Sequence, residues 1–268
     1  MSILQPTIYL THGGGPCFWI TFPEPFGAHA YDGLREYLAG VLEALPERPK
    51  AILMVTAHWE EPVPTVSIAA APGMLYDYYG FPPHTYELKY PARGLPALGA
   101  RVRGLLEAAH LAVASDDRRG FDHGVFVPML IIDPRADIPL VMMSLAGDLD
   151  PSRHLAVGAA LAGLRREGVL IIGSGSSFHN MRTIFDGALE ESARFDDWLN
   201  DTLTATAPGD RAARLVDWAR APGARACHPR AEHLLPLMVA VGAAGEDQGR
   251  ATFRGMIGGK AYSCFSFG

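Results

Sequence analysis

The chain has 268 residues, with 23 Lys and Arg against 29 Asp and Glu, a formal charge of -6. No dense Lys/Arg run occurs, so the electrostatic footprint of a nucleic-acid binder is missing. The length suits one α/β unit with a large core, and residues 1–268 are read as a single catalytic domain.

Three cysteines, Cys17, Cys227 and Cys264, form an odd, sparse set. They predict free thiols in a reducing, cytoplasmic setting rather than a disulfide scaffold. The N-terminus carries no basic leader, and no apolar stretch reaches the roughly 18 residues of a membrane span.

In chain order, an apolar run over residues 7–11 ends on His12 and is followed by Gly13-Gly14-Gly15-Pro16. Apolar residues at helical spacing (Tyr31, Leu34, Leu38, Leu42, Leu45) predict a helix over 28–46, and Ala51 opens a strand-like run ending on His58. Residues 69–94 are rich in Pro, Gly and Tyr and read as a loop covering a pocket. Beyond it come a helix near 95–109, a helix over 125–132 with Asp122 at its N-cap, and a strand over 138–145. A helix over 151–166, a strand over 169–173 and a helical stretch over 189–220 follow, and residues 262–267 alternate like an edge strand. Apolar strands separated by helices imply an α/β class: a mostly parallel central sheet with helices on both faces.

Histidines close the strand-like runs, which places them at the carboxyl edge of the sheet, where open α/β folds put their ligands. Imidazole is a common ligand for zinc and non-haem iron. His12 is a metal ligand or an incidental residue of a tight turn; a phosphate loop is disfavoured because no Lys-Ser/Thr pair and no full G-x-G-x-x-G follow. His58 is a ligand or a satisfied core histidine. His179 follows Gly173-Ser174-Gly175-Ser176-Ser177-Phe178, which lacks the G-x-S-x-G elbow of a serine hydrolase. His123, beside the capping Asp122, is a proton donor, a substrate hydrogen-bonding group or a support for one. Glu232 and His233 are both credible ligands; on a helix, adjacent side chains diverge by about 100°, so only one would face the metal. His29, His110 and His154 read as surface residues on helices.

Together, in order, six motifs carry a resemblance: His12-Gly13-Gly14-Gly15-Pro16; Ala57-His58-Trp59; Gly80-Phe81-Pro82 leading to Tyr90-Pro91-Ala92; Gly120-Phe121-Asp122-His123-Gly124; Phe178-His179-Asn180; and His228-Pro229 before His233 and Pro236-Leu237. The chain resembles the DODA type of class III extradiol ring-cleaving dioxygenases, relatives of the catalytic subunit of protocatechuate 4,5-dioxygenase. The resemblance implies that His12, His58 and His233 are metal ligands, and that His179 is either a fourth ligand or the acid/base. It further implies a supporting or substrate-contacting role for His123 and a place in the substrate pocket for His228 and Tyr86. Fe(II) is the expected working metal, with Zn(II) able to occupy the site, and the partners are a catechol and O₂. Better-known class III enzymes use glutamate as the third ligand, so Glu232 competes with His233. Arg93 stands where the family often has proline, a departure that bears on substrate identity. A zinc hydrolase using metal-bound hydroxide and a metal-containing binding protein without turnover are the competing readings.

Overall fold

The computed structural model describes residues 4–24 and 26–268. Eight strands form one sheet: β1 (Thr7–Thr11), β2 (Ala51–Glu61), β3 (Thr65–Ser67), β4 (Ala114–Asp116), β5 (Leu140–Ala146), β6 (Val169–Gly175), β7 (Gly249–Ile257) and β8 (Lys260–Phe267), in the spatial order β4-β3-β5-β2-β6-β1-β8-β7. The four central strands, β5-β2-β6-β1, are mutually parallel, and antiparallel pairings lie toward the two sides. Every residue of β1, β5 and β6 is buried, as expected for parallel strands covered on both faces.

The helices are α1 (Asp32–Gly40), α2 (Pro96–Ala108), α3 (His123–Ile132), α4 (Pro151–Leu161), α5 (Leu189–Asn200), α6 (Pro208–Val216), α7 (Ala224–Cys227) and α8 (Leu235–Ala244). Two of them, α3 and α8, are apolar nearly all round and buried, the signature of a helix inside a core. They cover opposite faces of β6. A Cβ on Gly173 or Gly175 would meet the backbone of Pro236 or His233, whereas Ser174 between them donates to the carbonyl of Gly124. Neighbouring strand residues point to opposite faces, so the two helices flank the sheet. Among the described residues no helix is long and apolar enough to cross a membrane.

Several expectations need correction. The 28–46 helix contracts to α1, and the 189–220 stretch breaks into α5, a π turn at Asp201–Ala205, α6 and a 3-10 turn at Trp218–Arg220. Strand β8 is not an edge: it pairs with both β1 and β7, is buried throughout, and leaves β7 outermost. His154 is not a surface residue; it is buried, with Nδ1 donating to the carbonyl of Asp150 (2.7 Å) and Nε2 accepting from the amide of Ala146 (3.1 Å). All three cysteines are free and buried.

Candidate metal centre

The central strands β2, β6 and β1 are neighbours, and their carboxyl ends carry the site. His12 directly follows β1, with its amide donating to the Gly175 carbonyl (3.0 Å), so the sheet fixes its backbone. Gly13 then turns with φ +87°, where a Cβ would lie 2.3 Å from Cys17 Sγ; only glycine fits this step away from the strand.

His58 lies where β2 departs from its ladder. The β2/β5 register shifts between Val55 and Glu60, and such irregularities re-aim side chains at sheet ends. Arg119 fixes this segment by donating to the His58 carbonyl (2.8 Å) and stacking its guanidinium 4.9 Å from the Trp59 ring. Close packing is required here, since a Cβ on Gly124 would come within 2.9 Å of both His58 Cδ2 and Thr56 Oγ1.

His233 precedes α8. Its carbonyl accepts from the Ser176 amide (3.0 Å) and from Tyr9 Oη (2.9 Å), and a Cβ on Gly175 would sit 2.1 Å from that oxygen. The segment is not helical at this point, so the helical-divergence argument that pitted Glu232 against His233 does not apply. Both side chains face the site, with different tasks.

The three imidazoles meet at Nε2: His12 to His58 is 3.1 Å, and His58 to His233 is 3.2 Å. The other ring nitrogens of His12 and His233 settle the tautomers of those two rings. Ser174 spends its proton on the Gly124 carbonyl, so its oxygen accepts from His12 Nδ1 (3.0 Å). Glu232 Oε1 can only accept, and receives His233 Nδ1 (3.0 Å). His58 Nδ1 faces Asp77 Oδ2 at 3.6 Å. With protons held on Nδ1 of His12 and His233, the Nε2 lone pairs of these two rings both face His58 Nε2, and a cation among the three nitrogens would relieve their repulsion. This donor set fits a divalent metal with nitrogen preference.

Burial, reinforced by the neighbouring histidines, keeps the rings in this neutral, ligating form. It holds His12 and His233 well below the ordinary imidazole range, and with His123 it brings His58 down to about 3. For Glu232, burial pushes the carboxyl up, but the hydrogen bond from His179 and nearby charges prevail and lower it. Asp77 follows the same pattern, with burial opposed by hydrogen bonds and charge from His123.

His179 and His123 flank the cluster without joining it. His179 stacks on His233 with ring centroids 3.3 Å apart and donates from Nδ1 to Glu232 (3.1 Å). His123 packs 3.9 Å from the His58 ring and donates from Nδ1 to Asp77 (2.8 Å). All five histidines line one cavity of about 390 Å³, together with Tyr78 and Phe81 from the 69–94 loop.

Two expected pocket residues lie elsewhere. His228 is fully buried, donating from Nε2 to the Ser177 carbonyl (2.9 Å) with its ring against Phe195 and Trp218, and it is not among the residues that line the cavity. Tyr86 packs against Tyr76 and Tyr78, behind the part of the loop that faces the cavity. Asp122 also departs from its expected role. It sits at the N-cap of α3 but makes no capping bond; its carboxylate accepts from Thr56 Oγ1 (2.9 Å) and Arg119 (3.2 Å). Asp77 caps instead, accepting from the His123 amide (2.9 Å). Asp77 was missed from sequence, although it is the only carboxylate among residues 69–86.

A mostly parallel sheet with a histidine cluster at its carboxyl edge is an α/β fold with a site that could hold a metal, and the likeness to known proteins names the class. Residues 7–261 match the family described as the catalytic LigB subunit of aromatic ring-opening dioxygenase, and the chain belongs to this family of extradiol ring-cleaving enzymes. It is 42% identical over 249 residues to the 4,5-DOPA dioxygenase extradiol of Beta vulgaris, covering 91% of this chain and 88% of that one. Dioxygenase tasH of Hapsidospora irregularis is 41% identical over 268 residues, covering 91% and 80%. Among solved structures, an uncharacterized protein of Escherichia coli K12 superposes with a TM-score of 0.76 at 29% identity, over 98% of this chain and 100% of that one.

Proposed function

We propose that the chain, acting as one catalytic domain over residues 1–268, opens the ring of a catechol-type substrate with O₂ beside its two hydroxyls, giving a muconic semialdehyde. The observation that carries this reading is the meeting of three Nε2 atoms from His12, His58 and His233 at the floor of an aromatic-lined cavity. Fe(II) held by these nitrogens would supply redox access to O₂ and Lewis acidity toward the catechol, whereas Zn(II), generally the tighter binder at nitrogen sites, would supply only the second.

The chain's own residues supply the rest. His179, anchored on Glu232, takes the second catechol proton and returns it as the ring opens; its anchored Nδ1 leaves Nε2 as the exchanging atom. His123, anchored on Asp77, assists from the opposite side. Tyr78 and Phe81 close the cavity and limit water while the reactants are held together. The unpaired, buried thiols accord with a reducing, cytoplasmic setting.

The test is anaerobic loading with Fe(II), then oxygen-electrode and absorbance assays on a catechol panel. Oxygen consumption matched to a yellow ring-opened product is expected with iron, not with zinc, and is expected to vanish in His12→Ala and His58→Ala while the circular dichroism is retained. Turnover without oxygen would replace this reading with metal-assisted hydrolysis.

A further inference from the structure

The cavity over the histidine cluster is built for a side chain that carries no charge. Beyond the histidines, Phe22, Phe26 and Tyr31 form one wall, with ring centroids 5.3 to 6.4 Å apart. Phe185, 5.5 Å from Phe26, continues this wall alongside Ile184 and Met181. Among the described lining residues there is no Lys, Arg, Asp or Glu. Lys260, whose ammonium lies close to this wall, donates to the carbonyls of Ile184 (2.8 Å) and Gly258 (3.3 Å), and it is not part of the lining.

Among the described lining residues only the histidines can carry positive charge, and each is already engaged. His12, His58 and His233 point their Nε2 atoms at one another, His123 is held on Asp77, and His179 is held on Glu232. Both of these carboxylates stand directly behind the lining and repel a second anion. A catechol with both oxygens at the cluster must turn its 4-substituent toward the rest of the cavity, into the aromatic wall.

We infer that the preferred substrates are catechols bearing an uncharged, apolar 4-substituent, an alkyl or aryl group, and that amino-acid or carboxylate side chains are disfavoured. This specificity rests on the ring-cleaving reading above, and it separates the chain from the substrate that its relatives' names imply. A carboxylate entering this wall loses hydration and meets no opposite charge, with only hydroxyls such as that of Tyr31 nearby, whereas each methylene entering it leaves water.

The experiment is equilibrium binding by calorimetry, under strict anaerobiosis, to Fe(II)-loaded protein. The ligands are 4-methyl-, 4-ethyl- and 4-propylcatechol, with 3-(3,4-dihydroxyphenyl)propionate and DOPA as counterparts of similar length. Affinity is expected to rise up to about fourfold per methylene along the alkyl series. The propyl compound is expected to exceed the propionate and DOPA by at least about tenfold, and kcat/KM in air is expected to follow the same order. Propionate or DOPA binding as tightly as the propyl compound overturns the inference, as does failure of every catechol to bind. The expected binding order without ring cleavage in air upholds the specificity and instead removes the dioxygenase reading.

Discussion

Asp77 Oδ1 accepts two hydrogen bonds from His123, one from the backbone amide at 2.9 Å and one from ring Nδ1 at 2.8 Å. A single carboxylate from a loop therefore starts α3 and orients the imidazole at its first residue. Asp77→Asn keeps the size but loses the charge and can present the wrong group to Nδ1. We expect kcat to fall about 10- to 100-fold, with far-UV circular dichroism unchanged; initial rates by oxygen electrode check it. An unaltered kcat would show that the His123 tautomer is irrelevant to turnover.

Glu232 plays the matching part on the other side, receiving Nδ1 of both His179 and His233. In Glu232→Gln the lone pair of His233 Nε2 is no longer enforced by an anion behind the ring. Metal affinity is expected to drop about 10- to 100-fold, read by competition with a chromophoric chelator. Retained affinity would assign Glu232 to His179 alone.

Gly124 carries the tightest packing demand around His58. Its replacement by alanine sets a methyl 2.9 Å from both the His58 ring and Thr56 Oγ1, and 3.2 Å from Asp122 Oδ1. All three neighbours are pinned, so the backbone of α3 must shift. The expected cost is about 1–3 kcal/mol in urea unfolding, accompanied by weaker metal binding. Stability loss with full affinity would mean that the strain is relieved away from His58.

Burial pushes the His228 ring down to about 4, against an unfolded value near 6.5. Between those values the unfolded chain takes up a proton that the folded protein refuses, so stability falls as pH is lowered through this window and levels off below it. From pH 7 to pH 5 this one residue is expected to remove roughly 2 kcal/mol. Urea midpoints at the two pH values measure it, and in His228→Gln the drop should shrink by that amount.

The α/β class was legible because buried parallel strands are written as continuous apolar runs, and the runs over residues 7–11 and 51–58 each end at a histidine of the cluster. What local sequence could not convey was competition for partners. Asp122 has the right residue type and position for a cap, yet Thr56 and Arg119 claim its carboxylate, and the cap comes from Asp77, 46 residues before the His123 amide that it accepts from. His154 sits on a helix with no clustered partner, but its ring answers an amide at the end of β5. β8 alternates like an exposed edge; it is buried because β7 adds a further strand outside it. His228 stands in a motif full of site residues, and only the docking of that segment turns it away from the cavity.

The third nitrogen of the cluster is encoded 175 residues after the second, and it arrives on a segment seated against the ends of β6 and β1 through the Gly175 contact. Until its last quarter has been synthesised and docked, a nascent chain therefore displays only His12 and His58 of these three nitrogens. On the proposed reading, capture of the ion waits in this way for finished assembly, because a half-made polypeptide lacks the third nitrogen of the centre.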